Sequence, residues 1–172
     1  MMRRILRTLG GVLLACGLAL AGYNQQQDAA AVRASQTLVR RYTAPTAAPD
    51  GDTTQGVLEL PTLGLTLPVQ PDCTPEALQN GPCRQFGSAA TDDLVIAGHN
   101  YINHFGSLGM LKAGDSVTFT GTDGAVNTYV VSETATISPT ETEKVTESGY
   151  PLVLYTCTYG RQSRIVIYCS RA

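Results

Sequence analysis

The chain has 172 residues, enough for one folded domain with attached segments, and 43% of its residues are hydrophobic. Its formal net charge is −2, and from residue 56 onward eleven Asp/Glu residues outnumber six Lys/Arg residues, a balance of about −5. A nucleic-acid-binding protein needs a basic face to displace counterions, so the charge argues against that class. No Cys/His cluster has the spacing of zinc ligands, and no metal site is predicted.

Residues 1–23 form a leader, in which Arg3, Arg4 and Arg7 precede an uncharged apolar run. Positive charge before such a run holds the N-terminus in the cytoplasm and sends the rest of the chain outward. We predict a retained signal-anchor or transmembrane helix, and therefore a single-pass protein of the cell membrane with an extracytoplasmic domain. A signal cleaved after residues 19–21 (ALA) is the alternative. A lipoprotein box at Cys16 is disfavoured because the apolar run continues past it.

Residues 24–55 are polar and rich in Ala, Thr and Gln, which predicts a juxtamembrane helix over 29–42 and then a flexible linker. From residue 56 to 172 the pattern changes to short β-like runs separated by Gly- and Pro-containing turns. About eight strands in this length predict a mostly β domain, either a small barrel or a sandwich. A barrel of this size is filled by side chains, so an active site must lie on its wall or rim.

Two of the four cysteines that follow the leader, Cys73 and Cys83, bracket a predicted helical turn. Thr74 is its expected N-cap and Gly81 its expected left-handed stop. Because disulfides persist outside the cytoplasm, Cys73 and Cys83 are a candidate pair.

The last 22 residues, 151–172, predict a β-hairpin with a thiol and a cation facing each other across it. Cys157 ends the first strand, and Arg164 begins the second. A nearby positive charge favours the thiolate, which is the nucleophilic form of a cysteine. Cys169 has the parity of the two isoleucines of the second strand, so it should face the core, opposite Arg164.

A histidine, His99, follows a buried strand over residues 93–97 and a glycine, so it is placed to face a cleft as a general acid or base. His104 lies a few residues further on and is the weaker candidate. Arg161, the rival of Arg164, lies in the turn of the final hairpin and is expected to be exposed.

These segments resemble the sortases, membrane-anchored cysteine transpeptidases of Gram-positive-type cell surfaces. The matching segments are AGHN at residues 97–100, VLYTC at 153–157 and Arg164 at the start of the next strand. VLYTC corresponds to the TLxTC strand end of the family, with Val153 where Thr is usual. The resemblance covers about residue 57 to the C-terminus. It implies a small closed eight-stranded sortase-like β-barrel with short helical turns.

The resemblance also implies roles for individual residues. Cys157 would be the nucleophile, His99 the general acid and base, and Arg164 a hydrogen-bond donor to the substrate or the oxyanion. Thr156 has the opposite parity to Cys157, which favours a positioning role. The substrate-binding candidates are Thr156, Asn100 and Tyr155.

The implied function is cleavage of an LPxTG-like sorting signal through a thioacyl intermediate, with transfer of a surface protein or pilin to an amine acceptor. The acceptor would be a cell-wall precursor or a protein amine. Two alternatives stay open: an extracytoplasmic thiol hydrolase of peptides or muropeptides, and a non-catalytic anchored β-domain. No cofactor is predicted, although the carboxylates of Glu141, Glu143, Asp92 and Asp93 leave calcium activation open.

Overall fold

A computed structural model describes residues 10–11, 14–19, 22–23, 26 and 55–172. The described residues before position 27 are helical and exposed. No helix within the described ranges is long and apolar enough to cross a membrane. Most of the predicted anchor and linker, residues 1–55, lies outside the described residues.

The domain is built from eight β-strands and a few short helical turns. The strands are β1 (Gly56–Leu60), β2 (Leu65–Val69), β3 (Cys83–Phe86), β4 (Leu94–Gly98), β5 (Ser116–Gly121), β6 (Val126–Ile137), β7 (Leu152–Cys157) and β8 (Arg164–Arg171). The two α-helical turns are α1 (Pro75–Asn80) and α2 (Glu143–Thr146), and 3₁₀ turns cover Pro61–Leu63, Leu108–Met110 and Tyr159–Arg161.

The strands form one sheet in the order β2-β1-β5-β6-β8-β7-β4-β3. All neighbouring strands are antiparallel except β4 and β7, which are parallel. The edges approach each other where Gln70 bridges to Cys83, with Gln70 N–H donating to the Pro82 carbonyl at 2.8 Å. The sheet is thus a nearly closed barrel, which confirms the predicted mostly β, eight-stranded fold.

Side chains of alternating parity divide between the barrel interior and its outer wall. The interior cluster contains Leu58, Leu60, Leu67, Val69, Leu94, Ile96, Phe105, Leu108, Val117, Phe119, Tyr129, Leu152, Leu154, Ile167 and Cys169. A smaller outer cluster lies on the outer wall, where α2 packs against it through Val145. Its members are Val95, Ile137, Val145, Val153, Val166 and Tyr168. The wall of β4, β7 and β8 is therefore apolar on both faces, as expected of strands covered on both sides.

Two local predictions differ from the structure. Strand β3 had no sequence signal, because only the first of its four residues is buried and it forms by pairing with β4. Gly81 is not a left-handed stop, since its φ of 170° is extended backbone. Glycine is needed at this position for a different reason, because a Cβ there would lie only 2.8 Å from the Pro68 carbonyl oxygen.

The turn between β2 and β3 is held at both ends. The Thr74 side chain accepts a hydrogen bond from the Ala77 N–H at 3.1 Å, as expected of an N-cap. A disulfide joins Cys73 and Cys83, whose Cα atoms are 5.1 Å apart. Because Cys83 also takes part in the bridge with Gln70, the disulfide lies at the seam of the barrel.

Candidate active site

The parallel pairing of β4 with β7 brings two distant segments side by side. Ala97 pairs with Tyr155 and Gly98 with Thr156, so His99 follows directly beside Cys157. Residues of equal parity on neighbouring strands share a face. Val95 and Val153 belong to the outer cluster, and His99 and Cys157 continue their rows. Both side chains therefore lie on the outer wall, at the strand ends.

The antiparallel pairing of β7 with β8 adds the cation. Cys157 is exposed and lies directly opposite Arg164, the first residue of β8. The guanidinium carbon of Arg164 is 5.3 Å from the centroid of the Tyr155 ring. No residue that the structure describes accepts a hydrogen bond from the Arg164 side chain. Its N–H groups are thus available to a ligand beside Cys157.

The environment of His99 favours the neutral imidazole. Burial of the half-buried ring lowers the pKa of His99, and the charge of Arg161 lowers it further. The ring of Tyr101 lies against it, with 4.9 Å between centroids. Neutral imidazole is the form that accepts a proton, so His99 is suited to act as a base. The lowered pKa also means that a smaller fraction of His99 is present as imidazolium.

The backbone of His99 is anchored by the loop that follows. Its carbonyl accepts a hydrogen bond from the Phe105 N–H at 3.0 Å. Phe105 is fully buried and packs against Gly98, where a Cβ would come within 2.6 Å of the ring. Only glycine permits this close approach, so Gly98 and Phe105 together fix where β4 ends and His99 begins.

Two of the three rival residues are buried, and the third, Arg161, lies in the exposed turn. Cys169 is fully buried in the interior cluster, as its parity predicted, and burial raises the pKa of its thiol to about 12. His104 is fully buried, with its ring centroid 5.7 Å from that of Tyr101. Arg161 is exposed in the turn, at a φ of 58°.

The three substrate-binding candidates occupy different positions around this pair. Thr156 is 1% exposed and faces the interior, so a substrate could meet it only through its backbone. Asn100 and Tyr155 are half-buried. The Tyr155 hydroxyl donates to Gln85 Oε1 at 3.3 Å. Their contact with a substrate stays a prediction.

Sequence reasoning missed three contributors to the site: Gln85, Tyr101 and the charge of Arg161 on His99. Gln85 lies on β3, which had no strand signal, so nothing in the sequence connected it to Tyr155. Tyr101 is two residues from His99, and its closeness in sequence was the one signal that could have identified it.

Three of the four carboxylates considered for calcium have other partners. Glu141 pairs with Lys144 at 2.5 Å, and Asp92 pairs with Arg171 at 2.7 Å. Asp93 accepts a hydrogen bond from the Ser88 N–H at 3.0 Å. Within the described part of the chain, no group of three His, Cys, Asp or Glu residues could hold a metal ion.

A groove of about 540 Å³ lies on the same outer wall, beside α2. Its lining includes Glu133 and Ile137 of β6, Glu143 and Glu147 around α2, and Tyr168 of β8. His99, Cys157 and Arg164 are not among its lining residues. The candidate site is therefore separate from this groove.

Comparisons with known proteins identify the fold. The fold is similar to Listeria monocytogenes sortase A, with a TM-score of 0.63 and 22% identity over 70% of this chain and 88% of that one. A Clostridium perfringens sortase D5 transpeptidase has a TM-score of 0.63 and 16% identity, over 81% of this chain and 96% of that one.

A third solved structure is Clostridium perfringens sortase C with the C-terminal cell wall sorting motif. It has a TM-score of 0.61 and 20% identity, over 86% of this chain and 88% of that one. No curated protein matches the sequence. The family model of the sortase domain matches residues 58–172, the whole barrel apart from its first two residues. The chain therefore belongs to the sortase family of cysteine transpeptidases.

Proposed function

We propose that this sortase cleaves an LPxTG-like sorting signal and transfers the resulting surface protein or pilin to an amine acceptor. One observation carries the proposal. The register of β4, β7 and β8 brings His99, Cys157 and Arg164 to one end of one outer wall. A nucleophile, a proton carrier and a fixed cation are the groups that acyl transfer requires.

The first half-reaction makes a thioester. The Cys157 thiolate attacks the scissile carbonyl carbon and forms a C–S bond, and the carbonyl oxygen becomes an oxyanion. The imidazolium of His99 gives its proton to the departing amine as the C–N bond breaks. The products are a thioacyl enzyme, a free amine and neutral His99.

The second half-reaction reverses the roles. An acceptor amine attacks the thioester carbonyl, His99 takes the amine proton, and the C–S bond breaks to return the thiolate. Arg164 donates hydrogen bonds to the oxyanion in both tetrahedral intermediates, aided by backbone N–H groups near Cys157. Because the pKa of His99 is lowered, imidazolium is scarce at neutral pH, and turnover is expected to be slow.

The proposed partners are sorting-signal-bearing proteins and a cell-wall precursor or protein amine. The Clostridium perfringens sortase C structure with a cell wall sorting motif supports a peptide of this class. The Cys73–Cys83 disulfide supports an extracytoplasmic domain, since such bonds are rare in the cytoplasm. We propose that residues 1–23 hold it at the cell membrane, as the order of arginines and apolar residues predicts.

Cleavage of a panel of LPxTG-like peptides by the purified full chain tests the proposal. We expect one or more of the peptides to be cleaved, with a thioacyl adduct on Cys157 visible by mass spectrometry. Cys157→Ala should abolish both. Retention of cleavage by Cys157→Ala would overturn the proposal, and Cys169→Ala is the matched control because that thiol is buried.

The same assay with added amine separates transfer from hydrolysis. A transpeptidase should form the peptide–amine product at the expense of the free acid as amine concentration rises. If only the free acid forms at every amine concentration, the chain is a thiol hydrolase. If no peptide in the panel is cleaved and Cys157 forms no adduct, the non-catalytic alternative holds.

A further inference from the structure

Arg164 has an unusual environment for an arginine that begins a strand on a packed wall. It is half-buried, and its guanidinium lies over a tyrosine ring. Nothing in the described part of the chain accepts a hydrogen bond from it or forms an ion pair with it. The side chain has several rotatable bonds and a large rotamer entropy, so some contact must hold it beside Cys157. The ring of Tyr155 is the contact available.

Tyr155 is itself held in place from three sides. It lies on β7, two residues before Cys157 and on the same face, with Ala97 beside it on β4 and Val166 beside it on β8. It packs against the outer cluster, and burial raises the pKa of its hydroxyl. That hydroxyl donates to Gln85 Oε1 on β3. The ring plane is thus constrained at its base by the wall and at its tip by Gln85.

We propose that Tyr155 is a positioning residue that holds the guanidinium of Arg164 beside Cys157, with Gln85 orienting the tyrosine ring. This inference rests on the proposed function, because it assigns the geometry of the oxyanion donor in that reaction. A cation over an aromatic face is attracted by the ring quadrupole and keeps its N–H edge free for hydrogen bonds. Tyr155 therefore fixes Arg164 without occupying the donors that the oxyanion needs.

The sequence suggested a different role for Tyr155, direct contact with the substrate. The two roles predict different kinetics. A residue that binds the substrate equally in the ground and transition states changes KM when it is removed. A residue that positions an oxyanion donor lowers kcat, because the donor acts chiefly on charge that develops in the transition state.

The first test compares two variants of the full chain on a peptide that the wild type cleaves. Tyr155→Phe keeps the ring and should retain kcat within about threefold, since it loses only the bond to Gln85. Tyr155→Leu removes the ring and should lower kcat about tenfold at nearly constant KM, in the range of a partly desolvated cation–π contact. Tyr150→Leu, which removes a ring from the same outer cluster, measures the effect of lost packing alone.

The second test repeats Tyr155→Leu in an Arg164→Ala background, with single-turnover acylation of Cys157 followed by mass spectrometry. If Tyr155 acts through Arg164, the tyrosine substitution should change the acylation rate less than twofold in this background. An equal loss in both backgrounds would overturn the inference. So would a change confined to KM, or a Tyr150→Leu defect as large as that of Tyr155→Leu.

Failure of this inference is distinguishable from failure of the proposed function. If Cys157→Ala is inactive and Tyr155→Leu matches the wild type, the reaction stands and the positioning role falls. If Cys157→Ala cleaves as fast as the wild type, both the proposed function and the positioning role are wrong. The thermal unfolding midpoint of every variant, and the rate of Cys157 alkylation in the variants that keep this thiol, separate these outcomes from misfolding.

Discussion

The two ends of the β7–β8 hairpin carry the same residue types and put them to different uses. Each end has a cysteine and an arginine, and each arginine lies over a tyrosine ring. At the first end, Cys157 is exposed and Arg164 has no hydrogen-bond acceptor within the described chain. At the second end, Cys169 is fully buried. The two arginines differ in their hydrogen-bond partners.

Arg171, at the second end, has its hydrogen-bonding capacity occupied. It donates to Asp92 Oδ1 at 2.8 Å, to Asn127 Oδ1 at 2.8 Å and to the Ala89 carbonyl at 2.5 Å. Its guanidinium carbon lies 4.9 Å from the centroid of the Tyr129 ring. These contacts tie the end of β8 to β6 and to the loop before β4, so Arg171 stabilises the barrel.

The comparison shows that residue type does not decide between structure and chemistry here. The two cysteines differ because they lie on opposite faces of the sheet: Cys169 points into the barrel and Cys157 points to the outer wall. The two arginines differ in their hydrogen-bond partners, since a guanidinium whose N–H groups are already bonded has few donors available for a ligand. The two residues of this hairpin proposed to act in catalysis, Cys157 and Arg164, are thus the ones whose side chains the fold positions but leaves without a hydrogen-bond partner in the described chain.

The largest expected effect is on the exposed cysteine. Cys157→Ala should lower peptide cleavage by about 10⁴-fold or more, as loss of a nucleophile does in other covalent mechanisms. Its free energy of unfolding in urea should stay close to that of the wild type. Cys169→Ala should do the reverse: it should keep kcat and lose about 1–2 kcal/mol of stability to a small cavity. Equal losses of activity in both variants would remove the distinction between the two ends.

Thiol alkylation should separate the two cysteines without any substitution. At pH 7, iodoacetamide should alkylate Cys157 at least about 10³-fold faster than Cys169, since alkylation requires an accessible thiolate. Burial raises the pKa of Cys169 to about 12. Peptide mapping by mass spectrometry measures both sites in one sample. Labelling of Cys169 at the rate of Cys157 in native protein would contradict its burial.

The arginines should divide in the same way, with smaller effects. Arg164→Ala should lower kcat/KM by about 10²–10³-fold, the usual cost of an oxyanion donor, with little change in unfolding. Arg171→Ala should leave kcat unchanged and cost about 1–2 kcal/mol in urea unfolding, since its partners are partly exposed and screened by solvent. An Arg164→Ala variant with wild-type cleavage but lower stability would show that both arginines are structural.

The smallest expected effect concerns the charge near His99. Arg161→Gln removes a cation that lowers the pKa of His99, so the pKa should rise toward its ordinary value, although burial still opposes the charged form. NMR titration of the imidazole in wild type and variant measures the change. The acid limb of the pH–rate profile should shift upward in the same direction. An unchanged or lower pKa would contradict the contribution of Arg161, and Arg84→Gln on β3 is the matched control.

Much of this site is predictable from the sequence because its strongest signals are local. A period of two along β8 predicts that Cys169 faces inward, and a glycine before His99 marks a strand end. The resemblance of residues 153–157 to the sortase TLxTC strand end predicts the nucleophile. Gly81 shows the limit of local reasoning, because its closeness to Pro68 depends on a strand that is distant along the chain.

Local patterns therefore predict the set of reactive residues, the strands that carry them and the face on which each one lies. Which strands meet is a property of the tertiary structure. The parallel pairing of β4 with β7 joins residues more than 50 positions apart, and no local pattern encodes that register. The same long-range pairing, together with that of β3 and β4, brings Gln85 within reach of Tyr155, whereas Arg164 meets Tyr155 within the β7–β8 hairpin. Side-chain parity is a property of one strand, whereas a constellation depends on contacts among several.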